Sequence, residues 1–249
     1  MTASNPAPRI LVIVHDVDDN LNELAVPLAE AGMFLETWDV QNDMESIPSL
    51  ESLDTYSGMI SLGAHAGVQE ESKHAWMQLE RKLMERALEL ELPLFGFCFG
   101  AQLLASVAGA TFKPSPVAEI GWTRVKMAPE AKQDPIFGEY SEDIDAFHFH
   151  YDSFDLPEGV AILGETNGIT QAFRVGSSAW ATQFHTEVGL STQLGWMTSY
   201  KRFFAKEGLD VNEHIKKSHE LWRSYQEQAY RTATAFAGQV QAFHDANRA

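Results

Sequence analysis

The chain has one cysteine in 249 residues. An intramolecular disulfide is therefore excluded, and the usage fits a reducing compartment such as the cytoplasm. Basic residues are also scarce: 18 Lys and Arg stand against 35 Asp and Glu, a formal charge of −17. That balance argues against nucleic acid or an anionic membrane surface as partner. No apolar run approaches membrane-spanning length. Met1 to Pro8 lacks an apolar stretch and reads as a short loose tail rather than a signal peptide. No internal repeat or low-complexity tract interrupts the chain.

What is present is ordinary globular material, 45% hydrophobic and 21% charged, long enough to bury one large core. Arg9 to His15 is a continuous apolar run, the pattern of a strand buried on both faces. A helix is expected over about 20–31, a strand over 34–40 and another over 56–62. A long amphipathic helix follows over about 72–90, then an apolar strand from Pro93 to Cys98. Strands alternating with helices predict an open, mostly parallel α/β sheet with helices on both faces, of flavodoxin-like type. After Gly109 the pattern changes. Strands over 119–127, 144–150, 160–165, 169–175 and 179–185 are joined by turns such as Asn167-Gly168, which predicts antiparallel additions. The organisation expected is a tail (1–8), a main domain (9–206) and a helical C-terminal extension (207–249). Trp222, Tyr225, Ala229, Ala233, Phe236, Val240 and Phe243 form an apolar stripe on that extension. The stripe is expected to pack on its own domain; it also permits a homodimer.

The lone cysteine lies in Gly96-Phe97-Cys98-Phe99-Gly100, between an apolar strand and the helix-like run from Gln102. A strand turning sharply into a helix holds its corner residue strained and accessible, and glycines on either side let backbones crowd. This is the layout of a nucleophile elbow with a thiol, and it points to attack on a carbonyl. A thiol nucleophile needs a base and a group to orient that base. Among nine histidines, His185 ends an apolar strand, and Glu187 stands two residues on. Strand ends are where sites form in such sheets. Protonated His185 would stabilise a Cys98 thiolate, and Glu187 would fix the ring's tautomer. His148, His150 and Asp152 share a strand face and suggest a metal, but no second cluster of zinc spacing accompanies them, so pocket lining or packing is expected and no metal.

Gly96-x-Cys98-x-Gly100-x-Gln102 together with Gln183-Phe184-His185-x-Glu187 resembles the class I, or triad, glutamine amidotransferases. Glu119-Ile120-Gly121-Trp122 and His148 to Phe154 narrow the resemblance to stand-alone, GMP-synthase-like members. It covers roughly residues 10–204. The resemblance implies hydrolysis of the glutamine side-chain amide through a γ-glutamyl thioester on Cys98, with His185 as base and acid and Glu187 orienting it. It implies no cofactor, and a separate synthase as ammonia acceptor. The oxyanion would be held by backbone N–H groups of Phe99 and of the Gly63-Ala64 turn. Gln102 would contact glutamine, and Phe149, His150 and Tyr151 would line its pocket. Two other readings use the same residues: hydrolysis of other γ-glutamyl amides or peptides, and a non-catalytic regulatory subunit. One departure stands out. The family's oxyanion turn is usually Gly-Gly-Pro, whereas this chain has Gly63-Ala64-His65. Alanine is disfavoured at positive φ, so a differently built turn is expected here.

Overall fold

The computed structural model describes residues 6–43, 48–140 and 143–247; most of the expected tail lies outside them. Nine strands form one sheet: β1 (Arg9–Val14), β2 (Phe34–Asp39), β3 (Gly58–Ser61), β4 (Leu94–Phe97), β5 (Thr111–Met127), β6 (Ile144–Asp155), β7 (Ala161–Thr166), β8 (Ile169–Val175) and β9 (Ala179–Thr182). Their order is β2-β1-β3-β4-β9-β8-β7-β5-β6. The first five in that order pair in parallel, and the remaining pairings are antiparallel. The hairpin-turn signals after Gly109 therefore mark where the parallel half ends.

The apolar strands are buried on both faces because helices cover both. Ile10 and Val12 of β1, with Ile60, Phe95 and Phe97, pack under α1 (Asn22–Glu30) and α6 (Val211–Asn247). The alternate residues Leu11, Ile13, Met59 and Leu94 pack under α2 (Ala75–Glu89) and α3 (Phe99–Val107). Strand alternation is thus converted directly into two hydrophobic layers. The long helix expected from Ser72 starts later, at Ala75, after a separate 3-10 turn over Val68–Lys73.

Helix α6 places Ala229, Ala233, Phe236 and Val240 in the first layer, so this stripe is covered by its own chain. Trp222 and Phe243, the ends of the stripe, are half-buried. Close approach is built in at Gly58, where a Cβ would lie 2.7 Å from Val240 Cγ2. A third cluster, Ile120, Trp122, Phe147, Trp196, Phe204 and Tyr225, joins the β5–β6 ribbon to α4 (Leu190–Ser199), α5 (Lys201–Lys206) and α6. It walls one side of the site.

Candidate active site

Cys98 sits between β4 and α3 with φ 49° and ψ −101°, a strained backbone for a residue with a side chain. The flanking glycines are required by contact. A Cβ on Gly96 would lie 2.7 Å from the carbonyl of Gly100, and one on Gly100 would lie 2.3 Å from Ser61 O. The Cys98 N–H donates to Thr182 O at 2.9 Å, which fastens the corner to the end of β9. The thiol is largely enclosed, with the residue 8% exposed, rather than open on the surface as the sequence alone suggests.

The chain leaving β9 carries the second group. The His185 N–H donates to Phe147 O at 2.9 Å, and Nδ1 lies 2.6 Å from Glu187 Oε1. Glu187 Oε2 accepts the Thr186 N–H at 2.8 Å. Nδ1 therefore carries the proton, given to a carboxylate that can only accept. Nε2 is left without a hydrogen-bond partner among the described residues. Burial opposes a charge on His185. The Glu187 carboxylate and the nearby Cys98 sulfur outweigh it and hold the ring well above the ordinary imidazole range. Trp196 meets the ring edge-on at 5.2 Å between centroids. Gln183 Nε2 approaches Cys98 Sγ at 3.7 Å, and Gln102 Nε2 donates to Gln183 Oε1 at 3.2 Å.

The turn at Gly63-Ala64-His65 closes without the expected conformation: neither Gly63 nor Ala64 has positive φ. Alanine therefore meets no steric objection here, and the φ-based reason for a differently built turn does not apply. Side chains hold the turn in place. His15 donates to Gly63 O at 3.0 Å and to Glu80 Oε2 at 2.7 Å. Ser61 Oγ donates to Glu80 Oε1 at 2.6 Å. Both His15 partners are acceptors, so the ring is doubly protonated. Burial works against that charge, but Glu80 outweighs it and raises His15 above its ordinary value. From the other side, the His65 N–H donates to Asp16 Oδ2 at 2.7 Å.

Cys98 borders two cavities. One, of about 280 Å³, is also lined by Gln102, Phe149, His150, Tyr151 and Asp152. The other, about 40 Å³, lies against Asp16, Asp19, Phe149, His185 and Trp196. Of the site residues expected from sequence, Ala64, Cys98, Phe99, Gln102, Phe149, His150, Tyr151 and His185 line one or both cavities, while Gly63 and Glu187 line neither. Missed were His15, Glu80 and Asp19. Asp19 is 4% exposed, and its Oδ1 has no partner among the described residues. Burial, with repulsion from Glu187, pushes its carboxyl up to about 7. An Asp in the polar run Asp16 to Asn20 gives no sequence signal of such burial.

Below the larger cavity, Glu119 on β5 stands directly opposite His150 on β6. His148 Nδ1 lies 3.3 Å from His150 Nε2, and His150 Nε2 lies 3.4 Å from Glu119 Oε2. The side chain of Asp152, grouped with these histidines from sequence, is not part of the cluster; its backbone O lies 3.3 Å from His150 Nδ1. Burial lowers His148 well below the ordinary range and His150 to about 3, while it raises Glu119 to about 7.

An open α/β sheet with a thiol at a strained strand-to-helix corner, and a His–Glu pair at the adjoining strand end, has the layout of a nucleophile-elbow protein. Residues 14–201 match the family described as Glutamine amidotransferase class-I, and the chain belongs to that family. It is 25% identical over 185 residues to a γ-glutamyl-L-1-hydroxyisopropylamide hydrolase from a Pseudomonas species, covering 69% of this chain and 62% of that one. It is 35% identical over 183 residues to a glutamine-hydrolysing GMP synthase from Thermosipho africanus, covering 71% of this chain and 32% of the synthase. The chain thus spans about three-fifths of the first relative and a third of the second. In structure it is similar to a glutamine amidotransferase from Thermotoga maritima, with a TM-score of 0.81, 26% identity, and coverage of 93% of this chain and 99% of that one. A glutamine amidotransferase from Methylobacillus flagellatus shares the fold at 18% identity and a TM-score of 0.79, with 94% and 95% coverage. No helix among the described residues is long and apolar enough to cross a membrane.

Proposed function

We propose that this chain hydrolyses the side-chain amide of glutamine through a γ-glutamyl thioester on Cys98. The observation that carries this reading is the pairing of His185 Nδ1 with Glu187 at 2.6 Å, with Nε2 unpartnered among the described residues beside a cavity that Cys98 also lines. With the thiol proton held on His185 Nε2, the sulfur attacks the γ-carbonyl and the C–S bond forms. The protonated ring then gives its proton to the leaving nitrogen as the C–N bond breaks, releasing ammonia. Water, deprotonated by the same ring, adds to the thioester, and the C–S bond breaks to give glutamate. Phe99 supports an oxyanion site because the N–H of a first helical residue has no acceptor within its helix. In the adjoining turn His65 N–H is already engaged, so the second donor comes from the Gly63-Ala64 part of the turn. Gln102, Phe149, His150 and Tyr151 take the γ-glutamyl portion in the larger cavity. The freed ammonia passes to a separate synthase.

A second reading keeps the triad and changes the leaving group. The Pseudomonas relative is named as a hydrolase of a substituted γ-glutamyl amide, and the smaller cavity supplies space beside Cys98 on the His185 side.

One experiment separates these. The purified chain is given glutamine and a series of N-alkyl γ-glutamyl amides, with released ammonia or amine measured. Faster ammonia release from glutamine favours the first reading; preference for the substituted amides favours the second. A folded protein that hydrolyses neither, and whose Cys98 is not labelled by a glutamine-analogue electrophile, is a binding or regulatory subunit instead.

A further inference from the structure

We propose that Glu119, His148 and His150 form a site for one divalent transition-metal ion of the zinc type. Residues 148 and 150 are alternate positions on β6 and so share one face. Glu119 is the direct cross-strand partner of His150 on β5, which brings the carboxylate to the same face. The three residues are 4%, 0% and 3% exposed in chain order, and each offers a ligand atom within 4.8 Å of the others.

The separations match a coordination shell better than a hydrogen-bond network. A tetrahedral zinc with bonds of about 2.0–2.1 Å keeps its ligand atoms roughly 3.3–3.4 Å apart. His148 Nδ1 and His150 Nε2 are 3.3 Å apart, and His150 Nε2 and Glu119 Oε2 are 3.4 Å apart. These are long for strong hydrogen bonds in a buried site. A metal between them satisfies all three at once.

The surroundings leave the same gap. Glu119 Oε1 and Gln171 Oε1 are buried without a partner among the described residues, although Gln171 Nε2 donates to Glu119 Oε2 at 2.8 Å. Among the described residues no Lys or Arg pairs with this carboxylate to offset its burial, and a buried charge needs such a partner. His150 Nδ1 faces Asp152 O at 3.3 Å, which leaves Nε2 as the nitrogen that coordinates. Two imidazoles and one carboxylate are a ligand set suited to zinc, with a fourth position left for water. His150 also lines the cavity beside Cys98, so the ion would stand at the wall of that cavity. The other group of three, Asp19, His185 and Glu187, belongs to the candidate active site already described.

The full chain, stripped with a chelator, is titrated with Zn²⁺ by calorimetry and with Co²⁺ by visible absorbance. One equivalent should bind, and Co²⁺ should give the intense bands of a tetrahedral site. Glu119→Gln and His148→Asn should each weaken Zn²⁺ at least tenfold, with circular dichroism used to verify folding. Cys98→Ala should leave affinity unchanged, which excludes chelation by the thiol. If a variant fails to fold, a zinc-edge anomalous map of the wild-type crystal decides: density belongs within about 2.1 Å of both histidine nitrogens. Absence of stoichiometric binding, affinity that survives in both folded ligand variants, or loss of binding in Cys98→Ala overturns the proposal.

Discussion

The Asp19 carboxylate occupies the space that a side chain at Gly63 would need: a Cβ there would lie 2.0 Å from Asp19 Oδ2 and 3.4 Å from His185 Cε1. The glycine is thus demanded by a neighbouring acid, not by its own φ. Gly63→Ala must push Asp19 toward Glu187 or move the turn away from Cys98. Amide hydrolysis should fall at least tenfold in kcat/KM, about 1.4 kcal/mol or more of transition-state stabilisation. Combining Gly63→Ala with Asp19→Gly should restore part of the loss. A single variant as active as wild type would show that the turn adapts freely.

Asp19 itself sets a pH dependence. Its carboxyl is raised to about 7, above the ordinary value of about 3.9. Between those values the native state binds more protons than the unfolded chain, so stability falls as pH rises through this window. Asp19→Asn removes the effect. The variant should match wild type below about pH 4 and exceed it by about 4 kcal/mol near pH 8. Thermal melts at several pH values read this directly, and a gap that does not vary with pH would contradict it.

Much of this architecture is legible in the sequence because it rests on local patterns. The run Arg9 to Val14 reads as a two-face-buried strand, and alternate residues do enter two cores. Gly96 and Gly100 mark the crowded corner, and the contacts that forbid a Cβ are there. His185 and Glu187 are two residues apart, so their pairing needs no long-range knowledge. What stays hidden is long-range polar pairing. Glu80 sits among charged residues of an amphipathic helix, where a solvated position is the ordinary expectation, yet it is fully buried on His15. The partner is 65 residues away. Glu119 likewise joins His148 and His150 only through the β5–β6 register, and its spacing in the chain gives no hint of it.

The His15–Glu80 pair makes its own prediction. His15 is raised above the ordinary imidazole value by Glu80. Its contribution to stability is fully present below the unfolded value of about 6.5 and is lost as pH rises through the folded value. Glu80→Gln leaves a buried imidazole without its counter-charge and should cost about 3 kcal/mol or more near pH 6. The deficit should shrink at alkaline pH, where His15 is neutral in both proteins. Because His15 also donates to Gly63 O, turnover should fall along with stability. Denaturant melts at paired pH values test the sign, and a deficit growing with pH would refute it.

Helix α6 should be required for folding. Phe236 is 2% exposed and meets Phe95 edge-on at 5.8 Å between centroids. Near the helix end, His244 Nδ1 pairs with Ser57 Oγ at 2.9 Å. Phe236→Ala should cost about 3–5 kcal/mol through lost burial and a cavity. Phe236 lines neither cavity beside Cys98, which predicts near-normal kcat/KM for whatever fraction stays folded. Equilibrium unfolding with parallel kinetics separates the two effects. Little loss of stability would mean that α6 is an appendage.

Glu187 controls which ring nitrogen of His185 carries the proton. As a carboxylate it accepts from Nδ1 of His185 at 2.6 Å, which leaves Nε2 as the proton acceptor for the thiol. Glu187→Gln keeps the shape but offers an amide N–H as well as a carbonyl. The amide can donate to Nδ1, moving the ring proton to Nε2 and closing the base. Loss of the carboxylate also removes the main charge that holds His185 above its ordinary value. Turnover should fall by roughly two to four orders of magnitude, while Cys98→Ala should abolish it. Adding Glu187→Gln to His185→Asn should cost little more than His185→Asn alone, since the glutamate acts through the ring. Additive losses in that double variant would mean that Glu187 acts on the substrate by another route.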